Sequence, residues 1–320
     1  MTKILITGGC GFIGSNLVEF LIQKTDWQIN ILDNLSNGDI KDLENINEFD
    51  NRCNFFEGDI RKKEDIIEAI DNCDFVVNLA AQAGVISSIE DPQLDAEINI
   101  KGLINVLQSG AEGGIKRIIQ ASSAAPLGEQ KMPLNEKKVP KPLSPYGASK
   151  LAGEGYCSAF SSSYDLNVVA LRFSNVYGPR SYEKGSVIPK FIKETLDNDQ
   201  VTIYGDGNQT RDFIYVKDIC NAIYLALTEN LENKFELLQI ATGKETSVNE
   251  LFKILKKSLE EQKINVKNPK YVKARKGEIL RNYADISKAK SLLNYGPKVD
   301  LTEGIDKTIK WFIENKGEFK

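Results

Sequence analysis

Residues 3–7 read K-I-L-I-T and residues 8–14 read G-G-C-G-F-I-G, a combination that commits the chain to one class of fold. An apolar run leads into a glycine-rich turn, and apolar residues at helical spacing follow. A buried strand, a tight turn and a helix start are typical of the first βαβ unit of a dinucleotide-binding fold. In that unit Gly8 permits the turn, Gly11 lets the backbone approach a pyrophosphate, and Gly14 lets the helix pack on the strand. The free N–H groups at the helix start are expected to face the phosphates.

The next predicted strand, residues 27–32, ends in Asp33, which lies 19 positions after Gly14. A carboxylate about 20 residues after the glycine turn typically binds the adenosine ribose diol. An acid at this position favours NAD, because it would repel a 2′-phosphate. No arginine stands beside it, since Asn34 is followed by Leu35 and Ser36.

Composition limits the class of protein. The chain has 320 residues, 41% of them hydrophobic and 27% charged, which is an ordinary globular composition with room for two lobes. The net charge of −4 argues against a nucleic-acid partner. No apolar run approaches the roughly 20 residues of a membrane span, and the chain enters its first predicted strand directly, so we expect neither a membrane anchor nor a signal peptide.

The cysteine and histidine content limits the kinds of catalytic and metal-binding site that the chain can form. The five cysteines are scattered and form no C-x-x-C motif, which indicates reduced thiols in a cytoplasmic protein and no metal site. The chain has no histidine. A Ser-His-Asp triad, a histidine-based zinc site and a histidine general base are therefore excluded.

Strand and helix patterns alternate through the first half, which predicts an α/β fold: a Rossmann doubly wound parallel sheet with a smaller α/β C-terminal substrate lobe. We expect residues 1–175 to form the NAD-binding domain, with returns near 208–228 and 237–243, and residues 176–320 to form mainly the substrate-binding lobe. Strands are predicted at 53–57, 75–79, 116–121 and 168–172, and helices at 63–70, from Pro92 onward, at 216–227, 248–259 and 302–313.

Two polar residues in this half are candidates for the cofactor site. Asp59 can accept a hydrogen bond from the adenine amino group, or it can be a loop acid or helix cap; spacing alone leaves both open. Asn99, on the helix that begins near Pro92, is expected to hold a backbone turn near the nicotinamide. The small residues at 80–84 let a ligand approach the backbone at the carboxyl end of a strand.

Tyr146 and Lys150 stand at i and i+4 on one face of a predicted helix. An ammonium and a positively charged nicotinamide nearby both favour the phenolate, which should lower the pKa of Tyr146 from its usual value near 10. Tyr146 would then act as the base for a sugar hydroxyl, and Ser123 at the end of the preceding strand can bond the same hydroxyl.

With these motifs in place, the sequence resembles the extended short-chain dehydrogenases/reductases, in particular the nucleotide-sugar epimerase/dehydratase family. The resemblance runs through nearly the whole chain and rests on T-G-G-C-G-F-I-G (7–14), L-D-N-L-S (32–36), G-D-I-R (58–61), L-A-A-Q-A-G (79–84), S-P-Y-G-A-S-K (144–150), R-F-S-N-V-Y-G-P (172–179) and Y-G-D-G-N-Q-T-R-D-F (204–213).

The resemblance implies a role for each matching position. The catalytic residues would be Tyr146, Lys150 and Ser123. NAD would be bound by Gly8, Gly11, Phe12, Ile13, Gly14, Asp33, Asn34, Asp59, Ile60, Leu79, Ala80, Ala81, Asn99, Tyr146 and Lys150. The nucleotide sugar, a UDP-sugar above all, would be bound by Gln82, Ser123, Asn175, Val187, Tyr204, Arg211, Arg275, Glu278 and Asn282. A surface charge is the competing interpretation for Arg275. The resemblance also implies a homodimer in which the helices at 94–107 and 146–160 dock on their copies.

The sequence departs from the family pattern at Asn78, where a histidine is common, and at Ala125 and Leu127, where polar residues often seat the sugar. The related dehydratases have an acidic pair after the strand-end serine, but this chain has Ala124 and Ala125. Because a 4-epimerase needs no such acids, their absence favours epimerisation through a transient 4-keto sugar. The alternatives are a 4,6-dehydratase, a C4 oxidase/reductase, and a catalytically silent NAD-binding protein.

The sugar itself is the least constrained part of the prediction. In the resembling epimerases, the position seven residues after the late phosphate-binding arginine borders the C2 substituent, and it corresponds here to Asn282. An asparagine leaves room for an acetamido group, which favours UDP-GlcNAc and UDP-GalNAc. Alternatively, Asn282 lies in a loop and Tyr283 fills the space. A uronic acid is less favoured, because no extra basic group is evident.

Overall fold

A seven-stranded sheet is the framework of the computed structural model, which describes residues 1–274 and 279–316. All of its neighbouring strands are parallel, in the order β3-β2-β1-β4-β5-β6-β11. The described strands are β1 (Lys3–Thr7), β2 (Gln28–Asp33), β3 (Cys53–Glu57), β4 (Phe75–Asn78), β5 (Arg117–Ser123), β6 (Val168–Phe173), β7 (Asn175–Tyr177), β8 (Thr202–Tyr204), β9 (Thr210–Arg211), β10 (Phe213–Tyr215), β11 (Phe235–Ile240), β12 (Thr246–Ser247) and β13 (Lys270–Val272). The strand order reverses at β1, as in Rossmann folds, so the predicted fold class is confirmed.

Helices cover both faces of this sheet and build the C-terminal part. The described helices are α1 (Phe12–Lys24), α2 (Lys41–Glu44), α3 (Phe49–Arg52), α4 (Lys63–Ile70), α5 (Val85–Glu90), α6 (Pro92–Ala96), α7 (Leu103–Glu112), α8 (Pro145–Ser163), α9 (Val187–Leu196), α10 (Val216–Thr228), α11 (Val248–Glu261), α12 (Ser287–Leu293) and α13 (Leu301–Glu314). The predicted bounds of β3 and α4 are confirmed to the residue.

Two elements differ from the prediction. The long helix expected from Pro92 is interrupted by a π-helical segment, Glu97–Gly102, between α6 and α7. Such segments often occur at functional sites, and this one carries Asn99. The second difference is α9, a helix in a part of the chain for which the sequence predicts none. Pro189 is compatible with a helix because it lies in the first turn, where its missing N–H has no intrahelical partner.

Successive side chains of β1 pack alternately into two hydrophobic cores, one on each face of the sheet. Ile4 and Ile6 pack in the cluster under α1 and α10, whereas Leu5 packs in the cluster under α4, α7 and α8. Successive strand residues point to opposite faces, so both faces of the sheet are buried. A third cluster lies in the C-terminal part and includes Phe191, Leu251 and Phe312. In the part of the chain that the structure describes, no helix has the length and apolar character required to cross a membrane.

The connecting segment, defined here as residues 178–186, joins β7 to α9 and lies along one face of α1. The Asn16 amide donates to the Pro179 carbonyl at 3.0 Å, and Arg180 pairs with Glu19 at 3.0 Å. The Lys184 ammonium lies 5.2 Å from the centroid of the Phe12 ring. These contacts connect the C-terminal part of the chain to the helix that follows the glycine turn.

Candidate active site

The glycine turn has the shape that a pyrophosphate requires. Gly8 has a φ of +69°, and a Cβ there would lie 2.6 Å from the backbone nitrogen of Ala80. A Cβ on Gly14 would lie 2.1 Å from the Gly8 carbonyl oxygen. Gly11 is the N-cap of α1, and no side chain caps the helix. Its first N–H groups, around Phe12 and Ile13, can therefore bind an anion, and the turn fits the diphosphate of a dinucleotide.

Asp33 is held at the carboxyl end of β2 beside this turn. One carboxylate oxygen accepts the N–H of Cys10 at 2.9 Å, and the other accepts the N–H of Leu35 at 2.9 Å. Two backbone bonds fix its orientation, and each oxygen keeps a lone pair for a ribose hydroxyl. The position fits the predicted ribose contact.

Asp59 is already engaged by protein groups. Its carboxylate pairs with Arg61 at 2.6 Å and accepts the Asn34 amide at 3.1 Å. The Arg61 hydrogen bond is the main reason why the pKa of Asp59 falls to about 2. Ile60, the next residue, is buried. These bonds account for the carboxylate as a loop acid, and the adenine contact stays a prediction for Asp59 and Asn34.

Asn99 holds the segment after β4 from the π-helical turn. Its side-chain oxygen accepts the N–H of Gln82 and its amide donates to the Gln82 carbonyl, both at 3.0 Å. The same amide donates to Asp95 at 2.9 Å. Asn99 therefore holds the backbone turn that follows Ala80 and Ala81, and the nearness of this turn to the nicotinamide stays a prediction.

Helix α8 carries the proposed catalytic pair. Ser144 caps it by accepting the N–H of Gly147 at 3.1 Å, and Pro145 occupies its first turn. The Lys150 ammonium lies 5.8 Å from the centroid of the Tyr146 ring and donates to the Ala121 carbonyl at 3.1 Å. The two side chains thus lie together beside the carboxyl end of β5.

The ionisation of this pair differs from the sequence prediction. Burial raises the pKa of Tyr146, and a hydrogen bond with Ser123 only partly opposes that rise. Burial also lowers the pKa of Lys150 to about 8, although the charge of Asp95 raises it in part. The predicted fall in the pKa of Tyr146 is therefore wrong for the protein chain without its cofactor, because burial outweighs the favourable charge of the neighbouring ammonium.

A cavity of about 410 Å³ lies beside α9 and the strands of the C-terminal part. Four predicted substrate residues line it: Asn175, Val187, Tyr204 and Arg211. The Arg211 guanidinium donates to the carbonyls of Thr210 and Ile279 at 2.7 and 2.8 Å, which fixes its approach to the cavity. The structure therefore brings these four residues together, at a site large enough for a diphosphate and a nucleobase.

Two other predicted substrate residues, Gln82 and Ser123, are not among the described residues that line this cavity. Arg275 and Glu278 fall outside the described residues. Asn282 is not among the described residues that line the cavity, and its side-chain oxygen is buried with no hydrogen-bond partner in the described part of the chain. Tyr283 has its ring 5.8 Å from the Arg281 guanidinium. The prediction for Asn282 thus stays open between a sugar contact and a loop position.

Sequence reasoning missed several charged groups near the site. Lys190 lines the cavity and lies 5.0 Å from the centroid of the Tyr204 ring. The Lys184 ammonium donates to the carbonyl of Val176, which lines the same cavity, at 2.6 Å. Arg172 and Glu154 form a buried ion pair behind Lys150. The apolar spacing of α9 could have placed Lys190 on a helix. The Lys184–Val176 and Arg172–Glu154 contacts depend on how the chain folds back on itself, so they have no local sequence signal.

Known proteins of similar sequence and structure are consistent with this geometry. Residues 5–308 match the family model described as GDP-mannose 4,6 dehydratase. A Methanocaldococcus jannaschii protein that carries a provisional UDP-glucose 4-epimerase name is 43% identical over 98% of this chain and 99% of its own length.

Two solved structures are similar over their whole length. The UDP-N-acetylglucosamine 4-epimerase from Methanobrevibacter ruminantium, in complex with UDP-N-acetylmuramic acid, has a TM-score of 0.91 and 37% identity, covering 98% of this chain and 99% of its own. The dTDP-glucose 4,6-dehydratase DesIV from Streptomyces venezuelae, with NAD bound, has a TM-score of 0.91 and 30% identity, covering 100% and 99%.

Proposed function

Because the chain belongs to the GDP-mannose 4,6 dehydratase family of extended short-chain dehydrogenases/reductases, we propose that it is an NAD-dependent nucleoside-diphosphate-sugar 4-epimerase. A UDP-hexose or UDP-N-acetylhexosamine is the proposed substrate. The similar proteins named as UDP-sugar 4-epimerases support this choice.

One observation carries the choice of reaction. The Tyr146–Lys150–Ser123 group adjoins the end of β5, where Ala124 and Ala125 follow the serine. Alanines can neither remove the C5 proton nor protonate the C6 hydroxyl, which a 4,6-dehydratase must do. A 4-epimerase needs only oxidation at C4, rotation of the keto sugar and reduction on its other face.

The residues then take distinct roles. NAD, when bound, supplies the hydride chemistry at C4. Tyr146 removes the C4 hydroxyl proton and later returns it, Ser123 holds that hydroxyl, and Lys150 supplies the charge that stabilises the phenolate. The turn at Gly8, Gly11 and Gly14, together with Asp33, would hold the dinucleotide.

The cavity is proposed to hold the nucleoside diphosphate of the substrate. Arg211 presents a planar guanidinium, which suits phosphate oxygens, and Tyr204 presents a ring next to Lys190. Arg275, Glu278, Gln82 and Asn282 are proposed to complete the site around the phosphates and the sugar.

The proposal extends to assembly, organisation and location. We place the NAD-binding domain at 1–175 with returns near 208–228 and 237–243, and the substrate lobe mainly at 176–320. A homodimer through the helical residues 94–107 and 146–160 is supported by exposed Tyr156 and Ala159 on α8 and by exposed Ile86 and Ile89 on the adjoining α5. The free thiols of all five cysteines favour the cytoplasm.

The deciding experiment is mass spectrometry and chromatography of the products from a panel of nucleotide sugars that includes UDP-glucose, UDP-GlcNAc and dTDP-glucose. A product of unchanged mass and different retention supports the epimerase. Loss of water identifies the dehydratase, whose specific support is the similarity to DesIV. NAD binding without any conversion identifies a silent protein.

A further inference from the structure

A buried ion pair lies directly behind the proposed catalytic lysine. The Arg172 side chain is 2% exposed and the Glu154 side chain is 5% exposed. The guanidinium donates Nε–H to one carboxylate oxygen at 2.7 Å and Nη2–H to the other at 2.6 Å. The Ser122 hydroxyl donates to the first oxygen at 2.6 Å. The carboxylate is therefore held from three directions.

This pair joins the elements that carry the catalytic side chains. Glu154 follows Lys150 by one helical turn on α8. Arg172 on β6 is paired in register with Ser122 on β5, and Ser123 is the next residue. Residues four apart on a helix are neighbours, and the negative charge of Glu154 acts on Lys150, whose pKa it raises.

A buried ammonium normally pairs with a carboxylate one helical turn away. Here the Lys150 ammonium donates to the Ala121 carbonyl instead, while Arg172 binds both oxygens of Glu154. We propose that Arg172 is a positioning residue that neutralises Glu154 and so leaves the Lys150 charge free to act on Tyr146 and the cofactor. This inference rests on the proposed function, since the roles of Tyr146 and Lys150 come from it.

Other groups also act on Lys150, and none of them changes in the test. Asp95 faces it from α6, and its negative charge raises the pKa of Lys150. Cys157, on α8, has a thiol whose pKa is raised by burial, so it stays neutral. The Tyr146 ring also adjoins Lys150, at 5.8 Å from the ammonium to the ring centroid.

The proposal makes predictions of opposite sign for the two partners. Arg172→Met leaves the Glu154 charge without its counter-ion, which raises the pKa of Lys150. Glu154→Gln leaves the Arg172 charge alone, which lowers that pKa. In the double variant both charges are absent, so the pKa returns close to its wild-type value. For charges this close, a shift of about one pH unit or more is expected.

The experiment follows Lys150 directly, by NMR of protein labelled with ¹³C at the lysine Cε, with the resonance assigned through Lys150→Arg. The wild-type midpoint is expected near about 8. A matched control is Arg117→Met, because Arg117 lies at the opposite end of β5 and donates to the carbonyls of Ala226, Leu227 and Glu229. This control should leave the Lys150 midpoint unchanged.

Turnover gives a second measurement. Lys150 paired with a freed Glu154 would stabilise the phenolate less, so Arg172→Met should move the acidic limb of kcat to higher pH and Glu154→Gln should move it to lower pH. Changes in kcat should exceed changes in KM, because the cavity residues are untouched.

Shifts of the Lys150 midpoint in one common direction, no shift in either single variant, or no return in the double variant would overturn the proposal. If Arg172→Met does not fold, the sign for Glu154→Gln decides alone, since only a lower midpoint agrees. The NMR titration needs no turnover. A wild type without epimerase activity would refute the proposed function and leave this result standing.

Discussion

The surroundings of Tyr146 oppose the ionisation that its proposed role as a base requires. Burial raises its pKa, and Ser123 offsets only part of the effect. The remaining stabilisation of the phenolate has to come from positive charge, which Lys150 supplies at 5.8 Å from the ring centroid. Activity should therefore depend on Lys150 staying charged and unpaired.

Tyr146→Phe should lower kcat by at least about 10²-fold, because it removes a positioned acid–base group. The fold and NAD binding should persist, as measured by circular dichroism and calorimetry. Tyr156→Phe is the matched control, since Tyr156 is an exposed tyrosine on the same helix, and it should keep wild-type turnover. Near-normal kcat in Tyr146→Phe would remove that residue from the mechanism.

Asn282→Tyr should reduce kcat/KM for UDP-GalNAc by about tenfold or more, with a smaller effect on UDP-galactose. Among residues 1–274 and 279–316 the side-chain oxygen of Asn282 is a buried acceptor without a partner, and such an acceptor suits the N–H of an acetamido group. Asn282→Ala distinguishes a steric effect from a hydrogen-bonding effect, because it leaves space for the acetamido group but removes the side-chain amide. Equal losses on both sugars in Asn282→Tyr would show that this position does not select the substituent.

At this scale, prediction from sequence succeeded where the signal was local. The i, i+4 spacing of Tyr146 and Lys150 is readable from the sequence alone, and so is the glycine turn with Asp33 after it. The Glu154–Arg172 pair was not readable, because it depends on the register of β5 against β6. The sign of the Tyr146 pKa shift also required the structure, because burial is set by residues distant in the chain.

Among the elements, the strands of the sheet and their helices were predictable because each repeats a regular apolar period. The helix α9 was not predicted, because its flanking glycines and Pro189 obscured the apolar period of a helix. The π-helical segment Glu97–Gly102 also had no sequence signal, although it presents Asn99 to the backbone of Gln82. Irregular elements therefore carried the unpredicted part of the site.

The connecting segment contains a charge that costs stability. Burial lowers the pKa of Lys184 to about 8, below the usual 10.5. Between these values the unfolded chain binds more protons than the folded one, so this group's contribution to folding improves as pH rises through that window. The stability of Lys184→Met relative to wild type should thus be higher at pH 7 than at pH 10.5, by about 1 to 3 kcal/mol, because only the wild type has a buried ammonium that discharges in this range.

The measurement is denaturant unfolding of wild type and Lys184→Met at several pH values. The difference between the two proteins cancels the titration of all other groups. A relative stability that stays constant from pH 7 to 10.5, or one that rises over this range, would contradict the assignment of a desolvated ammonium.

For the whole molecule, the testable property is the proposed homodimer. Ala159→Arg places a charge on the exposed face of α8 and should shift light scattering at micromolar concentration from dimer to monomer. Ile67→Arg is the control, because Ile67 is 52% exposed on α4, outside the proposed interface. A wild type that is monomeric throughout would rule out the dimer, and a dimer unaffected by Ala159→Arg would place the interface elsewhere.

The seventh strand of the sheet, β11, has a further consequence for how this protein can diversify. Residues 1–175 lack β11, and they also lack Ile219, Leu238 and Tyr295, which belong to the core beneath α1. The later part of the chain therefore adds an edge strand and core side chains to the first half. No single cut yields two self-sufficient pieces. The C-terminal half is not an interchangeable cassette, so a new sugar preference has to be acquired by point changes around the cavity.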